Sequence, residues 1–124
     1  MKIAIYSQKY KVEYHPLLSS IFQELRSHGD TIRVEADLLR RYREQAPLEG
    51  VETFHSVEDL PADTSLMLTI GGDGTILWAM TYIQHLQIPI LGINAGRLGF
   101  LATISQEEIT DMFAKIRAGR FHTD

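Results

Sequence analysis

The chain has 124 residues, of which 44% are hydrophobic, a formal net charge of −4 and no cysteine. That is material for one globular domain with one core; it excludes disulfides and thiolate metal sites, and it gives no general field for nucleic acid or an anionic membrane. With neither a signal peptide nor a membrane span visible, the expectation is a cytoplasmic protein without nucleic-acid or membrane partners.

Lys2 to Tyr6 reads as a first strand. Pro16 then suits the first turn of a helix in which Leu17, Leu18, Ile21, Phe22 and Leu25 recur at helical spacing, with Gly29 where a C-terminal cap belongs. Thr31 to Glu35 alternates, placing Ile32 and Val34 on one face and Arg33 and Glu35 on the other, as in a strand nearer the sheet edge. Asp37 is expected to cap a second helix whose Leu38, Leu39, Tyr42 and Ala46 share a stripe before Pro47 stops it. Its Arg40, Arg41 and Arg43 read as a solvated face rather than a phosphate grip. A short strand over Val51 to Phe54 and a turn-rich stretch from Ser56 to Pro61 follow.

Leu66 to Ile70 is apolar on both faces, as an internal parallel strand requires, and it runs straight into Gly71-Gly72-Asp73-Gly74-Thr75. Glycines bare the backbone to a ligand, and a helix starting near Thr75 aims unpaired N–H groups at the same point, which is a setting for phosphate. A carboxylate at the centre of an anion cradle needs a separate role. Asp73 can take the proton of an attacking hydroxyl, hold Mg²⁺ against phosphates, or cap the helix. Neither the P-loop pattern nor the Gly-x-Gly-x-x-Gly dinucleotide fingerprint occurs.

The helix expected over 75–84 is apolar almost all round, so Trp78 and Tyr82 read as core. Ile88 to Ile93 is another apolar strand with Pro89 near its start, and it ends in a second glycine-rich turn, Gly92-Ile93-Asn94-Ala95-Gly96-Arg97-Leu98-Gly99-Phe100-Leu101. In an open parallel sheet the two turns would flank one crevice. Ser105 and Glu108 form a capping box for a helix carrying Ile109, Met112, Phe113 and Ile116, closed by Gly119; Arg120 to Asp124 looks like a strand cut short. No two of the five histidines are spaced for a shared zinc ion, and no Gly-x-Ser-x-Gly elbow is present.

Taken together, the two turns resemble those of the NAD kinase family. Gly71-Gly72-Asp73-Gly74-Thr75 alone is similar to a motif of diacylglycerol and sphingosine kinases and of phosphofructokinases. Gly92-Ile93-Asn94-x-Gly96-x-Leu98-Gly99-Phe100-Leu101 has the NAD kinase form, and the lipid kinases' Pro-x-Gly-Thr-x-Asn-Asp stretch is missing. The resemblance implies an α/β fold with an open, mostly parallel Rossmann-like sheet and helices on both faces. It implies an enzyme that moves a phosphoryl group from ATP, accompanied by Mg²⁺ or another divalent cation, to the 2′-hydroxyl of the adenosine ribose of NAD, giving NADP. Asp73 would be the base or positioning carboxylate, Gly74 would lie against bound NAD, Leu98 and Phe100 would line its adenine side, and Gly71, Gly72, Thr75, Asn94 and Gly99 would complete the nucleotide site. A homo-oligomer is expected of the full-length form. The alternatives are a lipid or sugar kinase of related fold and a non-catalytic nucleotide-binding module. The family continues into a β-rich C-terminal domain with an Asn-Glu motif, and no Asn-Glu pair occurs here. Residues 1–119 are therefore expected to be the N-terminal nucleotide-binding domain, 120–124 the start of the segment leading to a second domain, and the chain alone inactive.

Overall fold

The computed structural model describes residues 1–8, 10–44, 48–72, 88–94 and 105–119. Its strands are β1 (Lys2–Tyr6), β2 (Thr31–Glu35), β3 (Glu52–Phe54), β4 (Leu66–Gly71) and β5 (Ile90–Asn94). All pair in parallel, in the order β3-β2-β1-β4-β5. The α-helices among the described residues are α1 (His15–Ser27), α2 (Ala36–Arg43) and α3 (Gln106–Arg117). The α/β class and the parallel sheet are those expected.

Position in the sheet accounts for the composition of the strands. β4 lies between β1 and β5 and every one of its residues is buried, so it carries no polar face. β2 neighbours the end strand β3, and its alternation survives there: Ile32 and Val34 are buried, while Arg33 sits in register with Glu52 and pairs with it at 2.8 Å.

Side-chain alternation along the strands divides the core. Ile3, Ile5, Leu66, Leu68 and Ile70 pack with Leu18 and Phe22 of α1, Leu38 and Leu39 of α2, and Ile109 and Phe113 of α3. On the other face Ala4 and Met67 join Phe54, Val57, Leu60 and Ile88. The described helices thus share one face, and the 3-10 turn Val57–Asp59 serves the other; the helix expected over 75–84 lies outside the described residues. Burying one Leu, Ile or Phe side chain stabilises by about 1.5–3 kcal/mol, so these contacts fix where the helices sit.

The helix ends follow local chemistry. α1 closes in a Schellman motif: the Asp30 N–H donates to the Leu25 carbonyl at 3.1 Å, the Gly29 N–H donates to Arg26, also at 3.1 Å, and Gly29 takes φ +71°. Ser105 caps α3, its Oγ accepting the Glu108 N–H at 3.1 Å. The cap of α2 differs from expectation. Glu35, not Asp37, holds the free N–H groups, accepting from Asp37 at 3.0 Å and Leu38 at 2.9 Å. β2 runs into α2 with no intervening residue, so the last strand residue becomes the N-cap and Asp37 falls inside the first turn. β5 begins at Ile90, two residues later than expected, because Pro89 has no N–H to give; its carbonyl still accepts the Met67 N–H at 2.8 Å. Ala46, Pro47 and the segment 120–124 lie outside the described residues.

Candidate functional site

A parallel sheet brings the carboxyl ends of its strands to one edge. From β1 the chain passes to β2 on one side, whereas β4 leads to β5 on the other, so the order reverses between β1 and β4 and leaves a crevice at their carboxyl ends. Both glycine-rich turns leave from this edge. Gly71 ends β4, Asn94 ends β5, and the register sets Gly71 directly opposite Asn94. The two motifs, separated in sequence, therefore start side by side at one level.

Gly71 takes φ +155°, a backbone conformation that a side chain rarely adopts, so the exit from β4 requires glycine. Gly72 is half-buried, and nothing stands within 4 Å of the point a Cβ would occupy, so packing by the described residues does not demand glycine there. Asp73, Gly74, Thr75, Leu98, Gly99 and Phe100 lie outside the described residues. The structure thus brings together Gly71, Gly72 and Asn94 of the expected set.

The other lip of the crevice is the end of β1, which the sequence reading passed over. Tyr6 is in register with Thr69, and Ser7 is the next residue along. Ser7 is 6% exposed and Thr69 is 0% exposed, and neither hydroxyl has a hydrogen-bond partner among the described residues. The available signal was a hydroxyl at the end of an apolar strand and another one residue before a glycine pair.

Around the connection from β1 to α1 an aromatic group joins the start of α1 to α2. His15 stacks on Tyr42 with ring centroids 4.5 Å apart, the Tyr42 hydroxyl meets Ser19 Oγ at 2.7 Å, and Tyr10 packs edge-on to Tyr14. Burial pushes the Tyr10 phenol above its ordinary pKa, and Tyr42 and Glu44 add to the effect. The arginines of α2 are committed elsewhere. Arg40 and Arg41 bind Asp37 at 2.6 and 3.0 Å, and Arg43 donates to the Leu48 carbonyl at 3.1 Å. The hydrogen bond from Arg40, with the charges of Arg41 and Arg40, holds the Asp37 carboxyl below its usual range. Arg40 and Arg41 are exposed, as a solvated face requires, while Arg43 ties the helix to the Leu48 backbone.

Among the described residues no three His, Asp or Glu side chains converge to hold a metal ion, and no helix is long and apolar enough to cross a membrane.

Comparison with known proteins agrees with this geometry. The sequence pattern described as the ATP-NAD kinase N-terminal domain matches residues 8–121. The NAD kinase of Flavobacterium johnsoniae is 40% identical over 110 residues, covering 88% of this chain and 37% of that protein. The NAD kinase of Christiangramia forsetii is 37% identical over 122 residues, covering 98% of this chain and 42% of that protein. Among solved structures, yeast NADH kinase complexed with NADH superposes with a TM-score of 0.66 at 21% identity, over 96% of this chain and 38% of that one, a likeness of fold. The chain spans about two fifths of the length of the curated relatives it matches.

Proposed function

Since this chain belongs to the NAD kinase family, as its N-terminal domain, we propose that the protein carrying it phosphorylates NAD at the expense of ATP. The observation that carries the reading is the register pair Gly71 and Asn94, which starts both glycine-rich turns from one edge beside the switch in strand order.

In the reaction the 2′-oxygen of the adenosine ribose attacks the γ-phosphorus of ATP, the bond to the bridging β-phosphate oxygen breaks, and ADP leaves. The hydroxyl proton goes to the Asp73 carboxylate, which also orients the attacking oxygen. Phosphoryl transfer asks a protein mainly to align nucleophile and phosphate and to stabilise developing charge. Bare backbone at Gly71, Gly72 and Gly74 and the N–H groups near Thr75 serve the phosphates. Asn94, Leu98, Gly99 and Phe100, on the neighbouring turn, hold the adenosine end of NAD. Mg²⁺ would enter as the companion of ATP, and no carboxylate cluster among the described residues fits it. A cysteine-free chain suits a reducing compartment such as the cytoplasm. Assembly of the protein into a homo-oligomer is part of the same reading.

The test is to incubate the natural protein carrying this chain with NAD, Mg²⁺ and ATP. NADP and ADP are expected in equal amounts. Failure to form NADP, with phosphorylation of a diacylglycerol or a sugar phosphate instead, would replace the reading with the related kinase class.

A further inference from the structure

The Ser7 hydroxyl at the end of β1 has no hydrogen-bond partner among the described residues, and its position suggests a role in the reaction. Ser7 stands one step beyond the Tyr6 and Thr69 pair, on the lip of the crevice facing β4. Its side chain is buried to better than nine tenths, yet its Oγ finds no partner among the described residues. A buried hydroxyl without a partner is costly, and such costs persist where a ligand relieves them.

The strand order says which ligand. β4, which ends at Gly71, has β5 on one flank and β1 on the other. On the reading above, on which this inference rests, the β5 flank holds the acceptor nucleotide through the Asn94 turn. In-line transfer places acceptor and donor on opposite sides of the moving phosphoryl group, which leaves the β1 flank for the donor. Helix α1 runs back from this edge, so its positive end lies on the same flank, and its N-cap residue Tyr14 makes no side-chain hydrogen bond there. The acidic residue of the preceding turn, Glu13, is exposed. Thr69, the other orphaned hydroxyl of the edge, is in alternation with Met67 and so belongs to the opposite sheet face.

We propose that Ser7 is a binding residue for the phosphoryl donor, its Oγ–H donating to an oxygen of the donor's polyphosphate chain at the switch point between β1 and β4.

The test is calorimetric titration of the natural protein carrying this chain, as wild type, Ser7→Ala and Ser7→Thr. The probes are Mg·ATP, inorganic tripolyphosphate and NAD, each alone, and a thermal melt of each protein accompanies them. Ser7→Ala should weaken Mg·ATP and tripolyphosphate alike by about 10- to 100-fold, the range of a lost hydrogen bond to a charged group. It should leave the Kd of NAD unchanged and the Tm unchanged or raised, since an unpaired hydroxyl is removed. Ser7→Thr should recover most of the donor affinity. Several results would overturn the proposal: donor affinity unchanged in Ser7→Ala, a loss confined to NAD, a loss for ATP but not tripolyphosphate, no donor binding by the wild type, or a lowered Tm, which would assign the hydroxyl to the fold. Because binding is read without turnover, a protein that forms no NADP still decides the role of Ser7 separately.

Discussion

Arg117, at the end of α3, closes on Asp30, in the turn between α1 and β2, with two parallel hydrogen bonds of 3.0 and 2.6 Å. The N-terminal ammonium of Met1 adds a third contact to the same carboxylate at 2.9 Å. The start of the chain, the first crossover and the last described helix therefore meet at one side chain that is 2% exposed.

Burial alone would raise the Asp30 pKa, but the hydrogen bonds and charges of Arg117 and the N-terminus outweigh it and hold the carboxyl below its ordinary value. In the unfolded chain the carboxyl takes up its proton first, so the cluster contributes fully above the ordinary aspartate value of about 3.9, and the contribution is lost as pH falls through the lower folded value. Asp30→Asn should destabilise the fold at pH 7 by about 2–4 kcal/mol; the low end allows for the partial exposure of Arg117. It should also flatten the fall in stability below about pH 4. Urea melts across pH 2.5 to 7 check both, and parallel curves for the two proteins would refute the linkage.

The cap of α2 gives a second comparison. Glu35→Ala should cost about 0.5–2 kcal/mol because two N–H groups lose their acceptor. Asp37→Ala should leave the melting midpoint nearly unchanged, since its ion pairs are exposed. Thermal melts of the two variants decide, and the reverse order would restore Asp37 as the cap.

Much of this was legible in sequence where pattern and position agree. β4 announced its central place by being apolar on both faces, and Gly29 and Ser105 marked the helix ends they occupy. Glu35 was missed because it has to be strand and cap at once, and cap preference favours the short Asp37. Of the site, the meeting of Gly71 and Asn94 was legible because parallel strands bring their carboxyl ends together. Ser7 was not, since only three-dimensional burial distinguishes an orphaned hydroxyl from an ordinary loop serine.

The 124-residue chain produced by itself should make no measurable NADP from NAD, ATP and Mg²⁺, because it spans only 37–42% of the length of the relatives named above and half a pocket cannot fix both substrates. Robust turnover would contradict the claim.

The central claim concerns Asp73, and Asp73→Asn in the natural protein carrying this chain tests it most directly. The amide keeps the size and capping ability of the carboxylate, so a mere turn would keep both its stability and its rate. It cannot accept the ribose proton, and loss of a positioned general base typically costs about 10²- to 10⁴-fold. Initial rates of NADP formation and thermal melts on the same preparations should show kcat lowered by that range with an unchanged Tm. Near-normal kcat with an unchanged Tm would contradict the account and return Asp73 to the role of a helix cap.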